Sequence, residues 1–593
     1  MGQTIAVTLV ALGCAASATA DPGTREDRSA LFDYLLQATM ERTAFSPFKP
    51  RDFGAGAHVT EAEYVRSAML AHREEFLAAD TDPKLYYALT KLTCARRDGH
   101  LARVRLVEGG LQPFAGRTHT GDAAPIKFKP DYTDKAAMFL FVSDFAEDIA
   151  RRVGPDTGRA PRVGDKLVGV NGLPAEAYLE RLGQFVGKSS HRAHWWDLAY
   201  RVSMRTRHMA PSLFDGDHVT YELETREGGR YTLTLPYVEY ESIEWAGHDD
   251  HYTGGELADL IREHPDVVRK GHQLRLGLRR YRGFRHAFSR PAFDLYVSDT
   301  EKVVLLQGHR FIPETIVADL DHLMGYARSG GLLDHAVIYD LTRGSGGDFE
   351  EYTLQRLQPR PFKIMFGNLR VSPITSALAA QLRERALKSL GGGTDTAPRM
   401  RARDVRVPDR GRYLIDWLDR DVAAAIDSGQ AYTSDVPFKG QFLPPSSDGY
   451  LYPAEEHFTG PTVLLTAPSA CSGADQFAAM FIDNQLGLSV GMPEGGCSNT
   501  WEWDEVLRFP ISGRPVATFS WTVGHSVRPN GEVLEGNSAV PAIVVPLTRD
   551  NYAAYYDVLL RHAMGYIHAQ RSAKVPEPTK LERLTHSVRP PVR

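Results

Sequence analysis

The chain has 593 residues, of which 42% are hydrophobic, 10% aromatic and 24% charged. At about 100–200 residues per domain, that length predicts several domains and at least one large core. The ordinary composition excludes disorder and collagen-like repeats, and a net charge of -5 excludes a globally basic nucleic-acid binder.

The N-terminus opens with an apolar run, Ile5 to Ala18, that ends in Ala18-Thr19-Ala20 before Asp21-Pro22. The run is too short to span a bilayer, and a small-x-small end predicts a signal peptide over 1–20. The expected mature protein begins near Asp21 and is exported, either to a periplasm or outside the cell. No later stretch is long and apolar enough to predict a membrane span. Four cysteines cannot staple a chain of this size, so its stability must come from packing. Loss of Cys14 with the signal leaves Cys94, Cys471 and Cys497, which allow at most one disulfide; the sequence leaves open which two pair.

Residues 26–96 read as helices, with Leu31, Leu35, Leu36 and Met40 at helical spacing and Leu85, Leu89 and Leu92 on one face. The last of these helices should end at Arg96-Arg97, after which Asp98-Gly99 turns and a strand is expected over 101–107. Short strands and turns follow: an apolar segment at 137–143, a helix near 144–153, a strand within Val163 to Gly172, a helix over 174–185 and a hairpin over 218–237 around Gly228-Gly229. A basic run, from Arg262 to Arg290, could contact a nucleic acid or an anionic surface, but the acidic balance of the rest of the chain favours an exposed insert or linker. The C-terminal half alternates strands and helices, which predicts α/β layers. Strands are expected at 302–308, 336–341, 462–466, 488–491, 516–521 and 542–546, and helices at 313–329, 376–390, 474–485 and 552–568. Beyond Arg571 a polar tail with several prolines is expected.

Three places could carry chemistry. Thr462 to Asp475 reads as a buried strand, a turn of small residues and an amphipathic helix, which sets the Ser472 hydroxyl at a helix N-terminus. Free N–H groups and the helix dipole favour developing negative charge there, although serine is also an ordinary helix cap. Ala336 to Asp348 is a strand running into a loop that contains Gly344, Gly346 and Gly347. Such a loop can present backbone N–H groups to a ligand, or it can be a tight turn. The third place is Asp98-Gly99-His100, weak by itself. His191, His194 and His525 read as structural or exposed, and no metal-ligand spacing is present, so neither a metal nor a cofactor is expected.

Taken together, these segments resemble the tail-specific (C-terminal-processing) serine protease family. Asp340 to Gly347 is similar to the family's Asp-Leu-Arg-x-Asn-x-Gly-Gly, with Gly344 in place of Asn. Ser472-Gly473-Ala474-Asp475 is similar to its Ser-x-x-Glu, and the Gly164 to Gly172 stretch resembles its embedded PDZ-like domain. The resemblance spans most of residues 80–550. Within the family one branch uses a Ser/Lys dyad, but here no lysine occurs between Lys439 and Lys574 and Cys497 stands near the lysine position. The other branch, with the tricorn core protease and chlamydial protease-like activity factor, uses Ser/His/Glu, and Asp98-Gly99-His100 resembles its histidine context.

The resemblance implies a crotonase/ClpP-like α/β catalytic domain, α+β overall, over 293–570. Before it would come an N-terminal helical region (21–118), a PDZ-like peptide-binding domain (119–245) and a basic insert or linker (246–292), with a tail at 571–593. It implies Ser472 as nucleophile, His100 as base and Glu535 as the third member, with Glu532 as its near rival. Gly473 and either Gly346 or Gly347 would donate backbone N–H groups to the oxyanion. The expected substrate is a peptide or unfolded protein, a homodimer is compatible with the family, and nucleic acid is not an expected partner. Gly344, Asp475 and Ala542 depart from the family pattern. They leave room for a catalytically inactive peptide- or ligand-binding protein on the same fold, or for hydrolysis of a non-peptide ester or amide.

Overall fold

The computed structural model describes residues 22–572 except 57, 102, 115–121, 153–158, 206–209, 212–215, 247–280, 282, 312–313, 391–411, 438–445 and 499–500. The expected signal peptide, most of the basic run and nearly all of the expected tail therefore lie outside the described residues. Among the described residues no helix is long and apolar enough to cross a membrane.

A seven-stranded mixed sheet organises the C-terminal half. Its order is Arg285–Ser289, Phe293–Ser298, Val303–Gly308, Ala336–Asp340, Thr462–Thr466, Leu488–Gly491 and Ile543–Val544. The first two pairings are antiparallel and the last four parallel. Parallel strands buried on both faces read as continuous apolar runs, as Ala336-Val337-Ile338-Tyr339 and Thr462-Val463-Leu464-Leu465 do. Val304, Leu306, Val337, Tyr339 and Leu464 pack on one side against helices Ile316–Ser329 and Gly473–Asp483. Val303, Leu305, Ile338, Val463 and Leu465 face the opposite way, against Leu559, Ala563 and Ile567 of helix Tyr555–Ser572.

A second, antiparallel sheet is built from Ile126–Asp131, Phe139–Phe145, Lys166–Val170, His218–Glu224 and Arg230–Pro236, with Leu173–Pro174 paired to its third strand. Helices Ala175–Gly183 and His191–Arg201 close its core through Leu179, Leu182, Leu198 and Ala199.

The N-terminal helices do not form a core of their own. Leu31, Phe32, Leu35, Val65, Leu85 and Leu89 share one cluster with Trp501, Phe519 and Trp521. These aromatic residues come from a long hairpin, Trp501–Arg508 with Pro515–Gly524. Trp521 is fully buried and its indole N–H donates to Thr39 Oγ1 at 3.3 Å. The boundary expected at residue 118 therefore separates sequence that packs together.

Three local expectations differ from the structure. In place of a strand over 101–107, the described residues of that stretch hold one isolated bridge, from Arg105 to Thr518. The helix expected near 144–153 is shorter, Ile149–Arg152, because the preceding strand continues to Phe145. The end of the expected linker, Arg285–Ser289, is an edge strand of the central sheet, held by its register with Phe293–Ser298.

Candidate active site

Ser472 and His100, 372 positions apart, meet between the central sheet and the N-terminal helices. Ser472 lies between strand Thr462–Thr466 and helix Gly473–Asp483 with φ 61° and ψ -128°, a conformation that costs a non-glycine residue energy and needs support from its surroundings. That support is dense. The Ser472 N–H donates to Cys497 O at 2.6 Å, Cys471 and Cys497 form a disulfide with Cα atoms 5.1 Å apart, and Cys497 N donates to Asp475 Oδ2 at 2.9 Å. Asp475 is buried, and burial pushes its carboxyl up to about 7 although the Cys497 amide and Arg192 oppose the shift. The disulfide resolves the pairing that sequence left open, and Cys94 is a free buried thiol.

The imidazole follows helix Asp82–Ala95. Beyond it, Asp98 Oδ1 accepts from the His100 and Leu101 amides at 3.0 and 3.1 Å, and its Oδ2 accepts from Thr522 Oγ1 at 2.5 Å. Thr522 is the cross-strand partner of Glu502 in the long hairpin, so both side chains lie on one face. Thr522 thus holds the loop while Glu502 Oε1 contacts His100 Nδ1. On the other side of the ring, His100 Nε2 lies 3.1 Å from Ser472 Oγ. Burial pulls the His100 pKa down, but the Glu502 contact, with Asp98 and Glu535 near by, leaves it raised above its ordinary value.

Glu535 is also part of this neighbourhood, but its carboxylate is engaged elsewhere. It is fully buried, with Oε1 2.8 Å from Lys49 Nζ and Oε2 accepting from the Ser498 amide at 3.0 Å. Lys49 also pairs with Glu61 at 3.1 Å. Burial opposes the charge on Lys49, yet the two carboxylates outweigh it and hold the amine protonated. The Glu61 carboxyl is pushed up to about 7 by burial, against the pull of Lys49. Lys49 is thus a lysine close to the site with no free lone pair to act as a base. Glu532 lies at the surface, 3.3 Å from Arg528.

The glycine loop abuts the nucleophile turn. A Cβ on Gly346 would sit 2.4 Å from Ser472 Cβ and 2.9 Å from the Gly473 amide nitrogen, and one on Gly473 would sit 2.5 Å from Gly347 O. The structure therefore brings together Ser472, His100, Gly473, Gly346 and Gly347, and gives His100 Nδ1 to Glu502 in place of Glu535. Sequence reasoning passed over Glu502, whose one signal is the short alternation Trp501-Glu502-Trp503-Asp504, which marks a strand with Glu502 on its polar face. Among the described residues no group of side chains is arranged to hold a metal ion.

No protein-family model and no curated protein matches the sequence. Among solved structures, the chain is similar to mature CPAF, with a TM-score of 0.61 at 15% identity over 93% of this chain and 99% of that one. It is similar also to mature CPAF complexed with lactacystin, with a TM-score of 0.60 at 16% identity over 91% of this chain and 98% of that one. Over nearly its whole length the chain therefore has the fold of mature CPAF.

Proposed function

We propose that the chain is an exported serine endopeptidase that hydrolyses peptide bonds through an acyl-enzyme, with Ser472, His100 and Glu502 as its triad. The observation that carries this reading is the 3.1 Å contact between Ser472 Oγ and His100 Nε2 with a carboxylate on Nδ1. A serine hydroxyl is a poor nucleophile unless a base takes its proton, and a base is effective when a third group fixes its tautomer.

In the first step Ser472 Oγ attacks the scissile carbonyl carbon as its proton passes to His100 Nε2. Glu502 keeps the proton on Nδ1 and stabilises the imidazolium. The carbonyl oxygen becomes an oxyanion, stabilised by the Gly473 N–H at the helix N-terminus and by an N–H of Gly346 or Gly347. Collapse of this intermediate expels the amine, which takes the proton from His100. Water then attacks the acyl-enzyme by the same route in reverse.

Glu535 and Lys49 act as support beneath the loops. The antiparallel sheet over 126–236 takes the PDZ-like role, guiding an extended peptide by strand addition, and the central sheet with its helices takes the crotonase/ClpP-like one. The disulfide supports export, since such bonds persist in oxidising compartments. The likeness in fold to a protein solved with lactacystin favours catalysis over the silent binding alternative. Digestion of casein and of a peptide library by the purified protein tests the reading. Cleavage by wild type, lost in Ser472→Ala and His100→Ala, is expected. Peptide binding without cleavage by a correctly folded wild type would overturn it in favour of the binding protein.

A further inference from the structure

We propose that the Cys471–Cys497 disulfide is a thiol–disulfide exchange site at which a small dithiol switches Ser472 off and reoxidation switches it back on. The inference rests on the peptidase reading and adds a reactant to it.

The disulfide lies between the two reacting side chains. Cys471 precedes Ser472 directly, and Cys497 supplies the carbonyl that accepts the Ser472 N–H at 2.6 Å. The histidine loop packs on the same residue, since a Cβ on Gly99 would stand 2.9 Å from Cys497 Cβ and 3.1 Å from its Sγ. One covalent bond therefore joins the nucleophile turn to the segment against which the base loop rests.

Ser472 depends on such a joint because of its left-handed φ of 61°. A residue held there relaxes unless its surroundings over-determine it. The other ties of the Cys497 segment are hydrogen bonds, among them Ser472 N to Cys497 O, Gly495 N to Ala470 O at 2.9 Å, Gly536 N to Gly496 O at 2.8 Å, Ser190 Oγ to Gly495 O at 2.8 Å, Gln476 Nε2 to Ser498 Oγ, Cys497 N to Asp475 and Ser498 N to Glu535. They keep the segment folded, but each is far weaker than the covalent bond that joins Cys471 to it. Cys471 is half-buried and Cys497 is 1% exposed, which directs an incoming thiolate to Cys471 Sγ.

The exchange balances as follows. A dithiol thiolate attacks Cys471 Sγ, a mixed disulfide forms, and the Sγ–Sγ bond breaks with its electron pair on Cys497, which takes up a proton. The second thiolate of the reagent displaces Cys471 Sγ. Two protein thiols and the cyclic disulfide of the reagent result, two electrons having passed from the dithiol to the protein.

The test uses the full chain, titrated with dithiothreitol. Alkylation and peptide mapping follow the redox state of Cys471 and Cys497, and the rate of fluorophosphonate labelling reports Ser472. The labelling rate should fall about tenfold or more in step with reduction of the pair, as misplacement of reacting groups does, and should return with oxidised dithiothreitol. Circular dichroism of the reduced protein should stay native, and a Cys471→Ser/Cys497→Ser variant should label slowly and ignore the dithiol. An unchanged rate after full reduction would overturn the inference and leave the peptidase reading standing. Absence of labelling in the oxidised protein would overturn both.

Discussion

Glu502 and Glu535 sit within one neighbourhood in very different surroundings, and substitutions there separate chemistry from support. Glu502 is partly exposed and contacts His100 Nδ1, so Glu502→Gln should lower kcat by up to about 10⁴-fold, the loss that neutralising a buried triad carboxylate causes. Its melting temperature should stay within about 2 °C of wild type, because partly exposed pairs contribute little to stability. The pH profile carries the sign. The base must be neutral to act, and Glu502 raises the His100 pKa, so the acidic limb of wild-type kcat/KM should lie above the usual histidine value. In Glu502→Gln, where burial is the largest remaining influence, that limb should move to lower pH; an unmoved limb would contradict the contact. Lys49→Met should instead destabilise the fold by about 3–5 kcal/mol, because it leaves Glu61 and Glu535 buried without a cation. Chemical denaturation measures that loss, and a loss below about 1 kcal/mol would contradict the role given to Lys49.

Among the elements, the nucleophile turn and the glycine loop were the most legible in sequence, and the physical reason is local. A buried apolar run followed by small residues and an amphipathic stretch specifies a strand, a tight turn and a helix whatever surrounds them, so Ser472 and Gly473 could be placed from 462–485 alone. Gly346 needs its missing side chain for contact, since a Cβ there would fall 2.4 Å from Ser472 Cβ. Gly346→Ala should therefore cut activity at least about 10²-fold, the cost of a displaced nucleophile or a lost oxyanion donor. Peptide hydrolysis measures this, and activity within threefold of wild type would contradict the close approach. The long hairpin was legible only in part. Its second strand was expected at 516–521, but Glu502 acquires its role from a pairing with Thr522 across the turn and from the contact of Thr522 with Asp98. Register between two strands and a third loop is not written in any short window, which is why the more motif-like Glu535 stood out first.

Across the molecule, the expected division into an N-terminal helical domain and a catalytic domain gives way to one shared core. The helices carrying Phe32 and Leu89 are completed by Trp501, Phe519 and Trp521 from the far end of the chain. Periodicity identified those helices, but an apolar face does not name the surface that covers it. Removal of residues 22–95 should therefore leave no soluble, folded remainder, as circular dichroism and limited proteolysis would read; a stable fragment from 96 onward would contradict the shared core. The same interlocking allows His100 and Ser472 to meet across 372 positions. The central claim, that they form one reacting pair, is tested most directly by mapping the fluorophosphonate adduct by mass spectrometry in wild type and His100→Ala. A single adduct on Ser472 in wild type, formed at least about 10²-fold more slowly in His100→Ala, is the predicted result. An adduct on any other residue, or a rate on Ser472 unaffected by loss of the imidazole, would contradict it.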